Sequence, residues 1–331
     1  MAQSESKTAV VLALLGNTVL TATKGIAFWM TGSGSMLAET IHSIADTANQ
    51  ALLYVGIKKS ERGPDALFPY GYGAERYLFS LFSAIGIFVL GCGVTVYHGI
   101  HNLLSPPELS FSWVSWVVLG IAFIVDGVVL LKVILSLKHE MARQGITRFI
   151  RSSTDPTAIA VLFEDGVACL GVIVAAAGIG LSYLTGSHVP DALGSIVIGL
   201  LLGAVAISLG LKNRELILGQ AIPEEEREAI RRFLAAQPTV RGIRAFRSRV
   251  LGADTFRMKA DVDFDGRRLG EAQAAWVAEQ LPHLDSPEAI RRFSGEFGAR
   301  VVEALGDEVD RIEAEMKARF PELRYIDLEA D

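Results

Sequence analysis

The sequence has few of the residues that build most structural metal sites and covalent cross-links. Among its 331 residues only two are cysteines and six are histidines. Cys92 and Cys169 lie in separate apolar runs without a CxxC pair or a Cys/His neighbour, which argues against a zinc finger or a disulfide framework. Basic patches interleaved with aromatic residues are also missing, which argues against nucleic acid as a partner.

Apolar residues, in contrast, are abundant and unevenly distributed. Half of the residues are apolar, and the mean hydropathy of +0.36 is unusual for a soluble protein. Apolar runs dominate before about residue 211, whereas charged residues dominate after it and carry most of the acidic excess behind the net charge of −6. We therefore predict a multi-pass α-helical membrane domain over residues 1–212 and a cytoplasmic α+β domain over residues 213–331.

Six segments are apolar enough to cross a bilayer, which requires about 20 mostly apolar residues. They are predicted at about Thr8–Met30, Ser35–Gly56, Tyr77–Tyr97, Phe111–Leu137, Asp155–Leu184 and Asp191–Leu211. The first seven residues, MAQSESK, do not resemble a transit peptide, and no cleavable small-residue site follows them. We expect the first apolar run to be retained as a transmembrane helix.

Basic residues are confined to alternate connections between these segments. The connections after the second and fourth segments and the residues after the sixth contain Lys58, Lys59, Arg62, Arg76, Lys138, Arg143, Arg148, Arg151, Lys212 and Arg214. The other three loops, TGSG, HGIHNLLSPPELS and TGSHVP, contain neither lysine nor arginine. This positive-inside pattern predicts that both termini are cytoplasmic, with the plasma (inner) membrane as the expected location. Lys24 and Lys132, inside predicted spans, are expected to extend to the interface.

The sequence of the C-terminal part predicts a small α+β domain of ferredoxin-like type with one additional helical insertion. Pro223 and three following glutamates open a helix of about 14 residues, with the acids at the end that the helix dipole favours. Alternating apolar residues then predict two antiparallel strands. The expected elements are strands at Val240–Leu251, Thr255–Phe264 and Arg324–Leu328, a helix at Leu269–Leu281, and one amphipathic helix, or two divided at Gly306, over about Ser294–Phe320.

Ionisable residues inside two of the predicted spans indicate a functional site. An ionisable side chain within a bilayer costs about 2.5–3.5 kcal/mol on insertion scales, so such residues are usually functional. Glu39, His42 and Asp46 follow one another at spacings of three and four, which places them on one face of a helix. Glu164 and Asp165 are neighbours in the fifth segment and therefore point about 100° apart.

Carboxylates and one imidazole are ligands that suit a divalent cation. Zinc accepts both donor types in tetrahedral geometry, and manganese or iron also accepts oxygen-rich ligation. The absence of cysteine from this set argues against copper(I). Glu39 and Asp126 each have more than one interpretation. Glu39 belongs to the site or to a water-filled vestibule, and Asp126 is a proton carrier, a partner of a ligand or a helix contact.

Several motifs resemble those of the cation diffusion facilitator transporters, and in particular the branch that contains the zinc transporter 9-like proteins. The resemblance covers nearly the whole chain and is carried by GSGSMLAETIHSIADTANQALL, PYGYGAERYLFSLFSA, LFEDGVACLGVIVAA, PDALGSIVIGLLLG and ALGDEVDRIEAEMKARFPELRYIDLEAD. It implies a homodimeric membrane protein that exports divalent cations, usually zinc, in exchange for protons. It implies no prosthetic group and no enzymatic activity.

The resemblance also implies which residues bind the transported metal. The second-span ligands correspond to His42 and Asp46, and the fifth-span aspartate corresponds to Asp165. The remaining family ligand, one turn before that aspartate, corresponds to Val161, which cannot bind metal. Glu164, beside Asp165, is the expected substitute.

Two departures from the family pattern concern additional metal sites. Phe68 and Tyr72 stand where the family often has histidine in the loop before the third span, which predicts that a second metal site is missing there. His283 is the one histidine of the C-terminal part, which argues against a multinuclear zinc sensor and favours a dimerisation or regulatory role for that domain.

Three other functions were weighed against a transporter. A divalent-cation channel would need a filter loop or a ring-forming repeat. A metal sensor or scaffold would use the soluble domain to signal, but no kinase, nuclease or DNA-binding motif supports it. A membrane metal-dependent hydrolase would need an HExxH-like helix, which the sequence lacks.

Overall fold

A computed structural model describes residues 2–31, 34–105, 113–144 and 156–331. The chain divides into two compact units, Met1–Gly219 and Gln220–Asp331. The division falls after residue 219 rather than at 212, because the last helix of the first unit extends to Leu218 before it ends. Gly219 ends that helix with a positive φ of 95°, a left-handed conformation that glycine adopts without steric cost.

Long helices make up the described part of the first unit. They are α1 (Ala2–Thr31), α2 (Gly34–Ser60), α3 (Glu75–Gly86), a π-helical segment (Ile87–Val94), α4 (Thr95–Leu104), α5 (Trp113–Gln144), α6 (Pro156–Thr185) and α7 (Val189–Leu218). α3, the π-helical segment and α4 follow one another without a gap, so the chain forms a single helical rod over Glu75–Leu104. This rod follows α1 and α2 and is called the third rod.

Four of these helical stretches are long and apolar enough to cross a membrane. Within the described residues they are Glu75–Leu104, Trp116–Lys138, Leu162–Thr185 and Val189–Leu218. α1 and α2 are helical where the first two spans were predicted, but parts of both lie outside the residues whose side chains are described, and six transmembrane helices remain a prediction. In α2 the apolar character is diluted by polar residues, namely Glu39, His42, Asp46, Asn49 and Gln50.

A buried apolar cluster joins five of the helices of the first unit. α2 contributes Leu53 and Ile57, and both are almost completely excluded from solvent. The cluster continues through α3, the π-helical segment, α5, α6 and α7 with Ala84, Ile87, Val129, Val133, Ile159, Leu162, Val167, Leu202, Ala206 and Leu209. The polar residues that precede Leu53 on α2 therefore stand directly beside the packed core of this unit.

The second unit is a three-stranded sheet accompanied by helices. Its elements are α8 (Glu224–Ala235), β1 (Val240–Gly252), β2 (Thr255–Phe264), α9 (Gly266–Glu271), α10 (Ala274–Gln280), a 3₁₀ turn (Leu281–His283), α11 (Pro287–Arg319) and β3 (Leu323–Ala330). The strand order is β1-β2-β3, with β1 antiparallel and β3 parallel to the central β2. Because parallel strands need a crossover, α9, α10 and α11 connect β2 to β3.

The helices of this unit differ in two places from the sequence prediction. The segment Leu269–Leu281, predicted as one helix, is divided between α9, α10 and the start of the 3₁₀ turn. α11 begins earlier than predicted and passes through Gly306 without a break. Its start is fixed by the Ser286 hydroxyl, which accepts a hydrogen bond from the Ala289 amide at 3.2 Å. The ferredoxin-like topology itself remains a prediction.

Candidate metal centre

The site begins with the inward-facing residues of α2, one turn before the apolar cluster. Asp46 is partly buried, and Asn49 and Gln50 are buried at 3% and 0% exposure. Asp46 and Gln50 are four residues apart and therefore lie on the same face of the helix. Polar residues this deeply buried need partners, because a buried polar group without one is costly.

Two adjacent carboxylates on α6 form the other half of the site. Glu164 and Asp165 are 5% and 4% exposed, within a helix apolar enough to cross a membrane. Asp46 is close enough to interact electrostatically with both of them. Asp126 of α5, also buried, interacts with Asp165 from another side. Three helices thus bring four acidic side chains into one electrostatic neighbourhood.

One hydrogen bond connects the two halves directly. The Gln50 side-chain amide donates from Nε2 to Oε2 of Glu164 at 2.8 Å, and both groups are buried. A carboxylate can only accept hydrogen bonds, so the amide must present its N–H side to Glu164. The bond shows that α2 and α6 approach each other at the level of the predicted ligands.

Two carboxylate oxygens of this site are candidates for binding a cation. Oε1 of Glu164 and Oδ2 of Asp165 are buried and have no hydrogen-bond partner among the described residues. Buried carboxylate oxygens are normally paired with donors or coordinate a cation. Their donor chemistry suits a divalent metal ion.

The predicted ligand set is only partly brought together. Asp46, Glu164 and Asp165 share the neighbourhood, but within the described residues no three His, Cys, Asp or Glu side chains are close enough to hold a metal ion. His42 lies in α2, and its side chain is outside the described part of the structure. The same holds for the side chains of Glu39 and Val161.

The prediction for Lys24 was wrong. Lys24 was expected to extend to the interface, but it is only 7% exposed within the first unit. Lys24 belongs to α1, and this helix packs against α2 through polar contacts. Thr21 Oγ1 donates to the Ser43 carbonyl oxygen at 2.9 Å and lies 3.0 Å from Thr47 Oγ1. Arg76, expected in a loop, is likewise buried at the start of α3.

Gln50 is the residue of this site that sequence reasoning missed. Glu39, His42 and Asp46 were predicted to share one face of the helix, and Gln50 was not included with them. The spacing of four from Asp46 to Gln50 would have extended this set by one residue. The partner on α6 could not be read from the sequence, because Gln50 and Glu164 are 114 positions apart.

The arrangement of buried acids on apolar helices is that of an ion-transporting membrane protein, and the chain belongs to the cation efflux family. The family model for the cation efflux transmembrane domain matches residues 10–218. The family consists of transporters rather than enzymes. The chain is an integral membrane protein, and the resemblance to the zinc transporter 9-like branch is confirmed by its relatives.

Three curated relatives illustrate this membership. Metal tolerance protein C4 of Arabidopsis thaliana is 38% identical over 338 residues, which cover 98% of this chain and 73% of the plant protein. The mouse protein named proton-coupled zinc antiporter SLC30A9, mitochondrial, is 40% identical over 314 residues, 92% of this chain and 55% of the mouse protein. The cation-efflux pump FieF of Klebsiella pneumoniae is 27% identical over 273 residues, 82% of this chain and 84% of the pump. The chain therefore spans only about half the length of the mouse relative.

Proposed function

We propose that this protein is a secondary transporter that exports zinc in exchange for protons. The observation that carries the proposal is the pair of buried carboxylates, Glu164 and Asp165, on a helix apolar enough to cross a membrane and in electrostatic contact with Asp46 of α2. Charges so placed are expensive unless a cation neutralises them. The name of the mouse relative, a proton-coupled zinc antiporter, supports zinc and protons as the exchanged ions.

In this mechanism His42, Asp46, Glu164 and Asp165 bind one metal ion, and the two membrane faces open to it alternately. Carboxylates and imidazole bind metal in their deprotonated forms, so metal affinity falls as protons bind. Protons that occupy the ligands after release on one side are therefore carried back as the empty site returns. Histidine suits this proton transfer because the free side chain changes its charge in the physiological pH range, which makes His42 the candidate proton carrier.

The same proposal covers the assembly and the location. The C-terminal unit serves in homodimer formation or regulation, as the sequence resemblance implies. The alternation of loops with and without lysine and arginine supports termini on the cytoplasmic side of a plasma membrane. The mouse relative is named as mitochondrial, which makes a mitochondrial membrane the alternative location. Fractionation of cells that express the tagged chain distinguishes the two membranes.

Transport in liposomes tests the function. The purified full chain is reconstituted with a zinc-sensitive dye inside, and an outward-directed proton gradient is imposed. We expect saturable zinc uptake that requires the gradient and is reduced at least a hundredfold in Asp46→Asn and Asp165→Asn. Glu215→Gln, which changes an exposed acid near the end of α7, is the matched control and should transport normally.

Two outcomes would count against the proposal. Undiminished uptake in Asp46→Asn or Asp165→Asn would show that these residues do not bind the transported metal. Non-saturating flux that ignores the proton gradient would favour a channel instead. Competition by manganese, iron and cadmium in the same vesicles ranks the metals, and a preference for manganese or iron would replace zinc as the substrate.

A further inference from the structure

The amide of Gln50 is not one of the metal ligands proposed above, yet it makes a hydrogen bond that joins α2 to α6. Gln50 is completely excluded from solvent, and its Nε2 donates to Oε2 of Glu164 at 2.8 Å. This occupies one oxygen of the carboxylate and leaves Oε1 buried without a hydrogen-bond partner among the described residues. Among the described residues, this hydrogen bond therefore holds the carboxylate through one of its two oxygens.

A second contact restricts the same region from the third helical rod. Asn49, the neighbour of Gln50, also approaches the Glu164 carboxylate. Asn49 Oδ1 fills the space beside Gly86 of α3, only 2.6 Å from where a Cβ at that position would lie. Side-chain atoms do not normally come so close, so Gly86 is required for the Asn49 amide to occupy this position.

From these contacts we propose that Gln50 is a positioning residue for the transported metal, acting through Glu164. The inference rests on the proposed function and adds a residue that the ligand set does not contain. By fixing one carboxylate oxygen, the amide restricts rotation of the Glu164 side chain and directs the second oxygen to the cation. Groups that orient a metal ligand in this way typically contribute 10- to 100-fold in metal affinity.

Zinc binding to the purified full chain in detergent, measured by competition with a chelating dye, tests this role. Gln50→Leu removes the amide at similar size and is expected to weaken zinc binding 10- to 100-fold. In a Glu164→Ala background the same substitution should have no further effect, because its partner is already gone. An equal loss in both backgrounds would overturn the proposal.

A matched control separates positioning from general destabilisation. Asn213 is also a buried amide that links two helices, with its Nδ2 donating to Ser80 Oγ at 2.9 Å. Asn213→Leu should lower thermal stability without changing zinc affinity. If Asn213→Leu weakens zinc binding as much as Gln50→Leu does, the effect belongs to packing and the inference fails.

Two further variants keep the test decisive. Gln50→Met serves if Gln50→Leu does not fold, and failure of both to give a monodisperse protein would assign Gln50 to folding rather than to metal positioning. Gly86→Ala should weaken zinc binding by displacing Asn49, although alanine favours a helix.

The ligand variants distinguish failure of the proposed function from failure of this inference. If Asp46→Asn and Asp165→Asn keep wild-type zinc affinity, the proposed function fails. If they lose zinc affinity while Gln50→Leu does not, only this inference fails.

Discussion

The Cys92 sulfur fills the space beside Gly203, only 2.9 Å from where a Cβ on that residue would lie. Cys92 belongs to the π-helical segment of the third rod and Gly203 to α7, so the two helices approach closely at this point. Gly199, one turn earlier on α7, accepts Val96 in the same way. The third rod and α7 are therefore packed through glycines that have no room for a side chain.

A methyl group at position 203 should separate these helices. Gly203→Ala is expected to destabilise the protein by about 1–3 kcal/mol, the usual cost of overpacking. Thermal unfolding of the purified chain in detergent measures the loss. Cys92→Ala should restore stability in the double variant, and Gly120→Ala, where no atom lies within 4 Å of the new Cβ, is the neutral control.

The core of the second unit depends on the inward face of β2. Met258 and Ile312 are both 0% exposed, so Met258→Ala is expected to cost about 2–5 kcal/mol. Chemical unfolding followed by near-ultraviolet circular dichroism reports this transition. Val302→Ala, which removes an apolar side chain that is 69% exposed on α11, should change stability by less than about 0.5 kcal/mol.

The stability of the second unit should also depend on pH through Glu308. Hydrogen bonds from Arg311 and Thr239 hold the pKa of its carboxyl below the ordinary value of 4.5. A lowered folded-state pKa stabilises the fold above the ordinary value, and this contribution is lost as the pH falls through the lowered one. The difference in melting temperature between wild type and Glu308→Gln should therefore be present at pH 7, decrease as the pH falls below the ordinary value of 4.5, and disappear below the lowered pKa. A difference that persists unchanged in acid would contradict this assignment.

Zinc should stabilise the folded protein if the candidate site binds it. A ligand present at 100 times its dissociation constant adds about 2.7 kcal/mol to the free energy of unfolding. We expect zinc to raise the melting temperature of the full chain in detergent and EDTA to reverse the shift. Asp165→Asn should show no shift, and an undiminished one would place the bound zinc elsewhere.

Local patterns allowed much of the second unit to be predicted. The alternation of β2 predicts Phe256, Met258, Ala260, Val262 and Phe264 on one face. The first four are buried, whereas Phe264, at the end of the strand, is only partly buried. The order of strands and helices also follows from local signals such as the glutamates that begin α8. The question of a break at Gly306 could not be decided in this way, since one glycine in a long helix costs only about 1 kcal/mol.

Features that depend on how the helices face one another could not be predicted. The burial of Lys24 results from the packing of α1 within the first unit, which hydropathy along the chain does not describe. The π-helical turn of the third rod likewise adapts to α7, with Gly91 against Leu202. The sequence could indicate ionisable candidates for the site because the free-energy cost of each in a membrane depends on that residue alone. It could not indicate the Gln50–Glu164 bond, because this bond depends on how α2 and α6 are rotated toward each other.

The outer strand β1 of the sheet carries charge of one sign. In the strand order β1-β2-β3 it lies at the edge of the sheet, and it has four arginines along its length: Arg241, Arg244, Arg247 and Arg249. If the β1 strands of two copies paired, like charges would lie about 5 Å apart, which is unfavourable. Pairing of β1 with the same strand of a second copy is therefore opposed by charge.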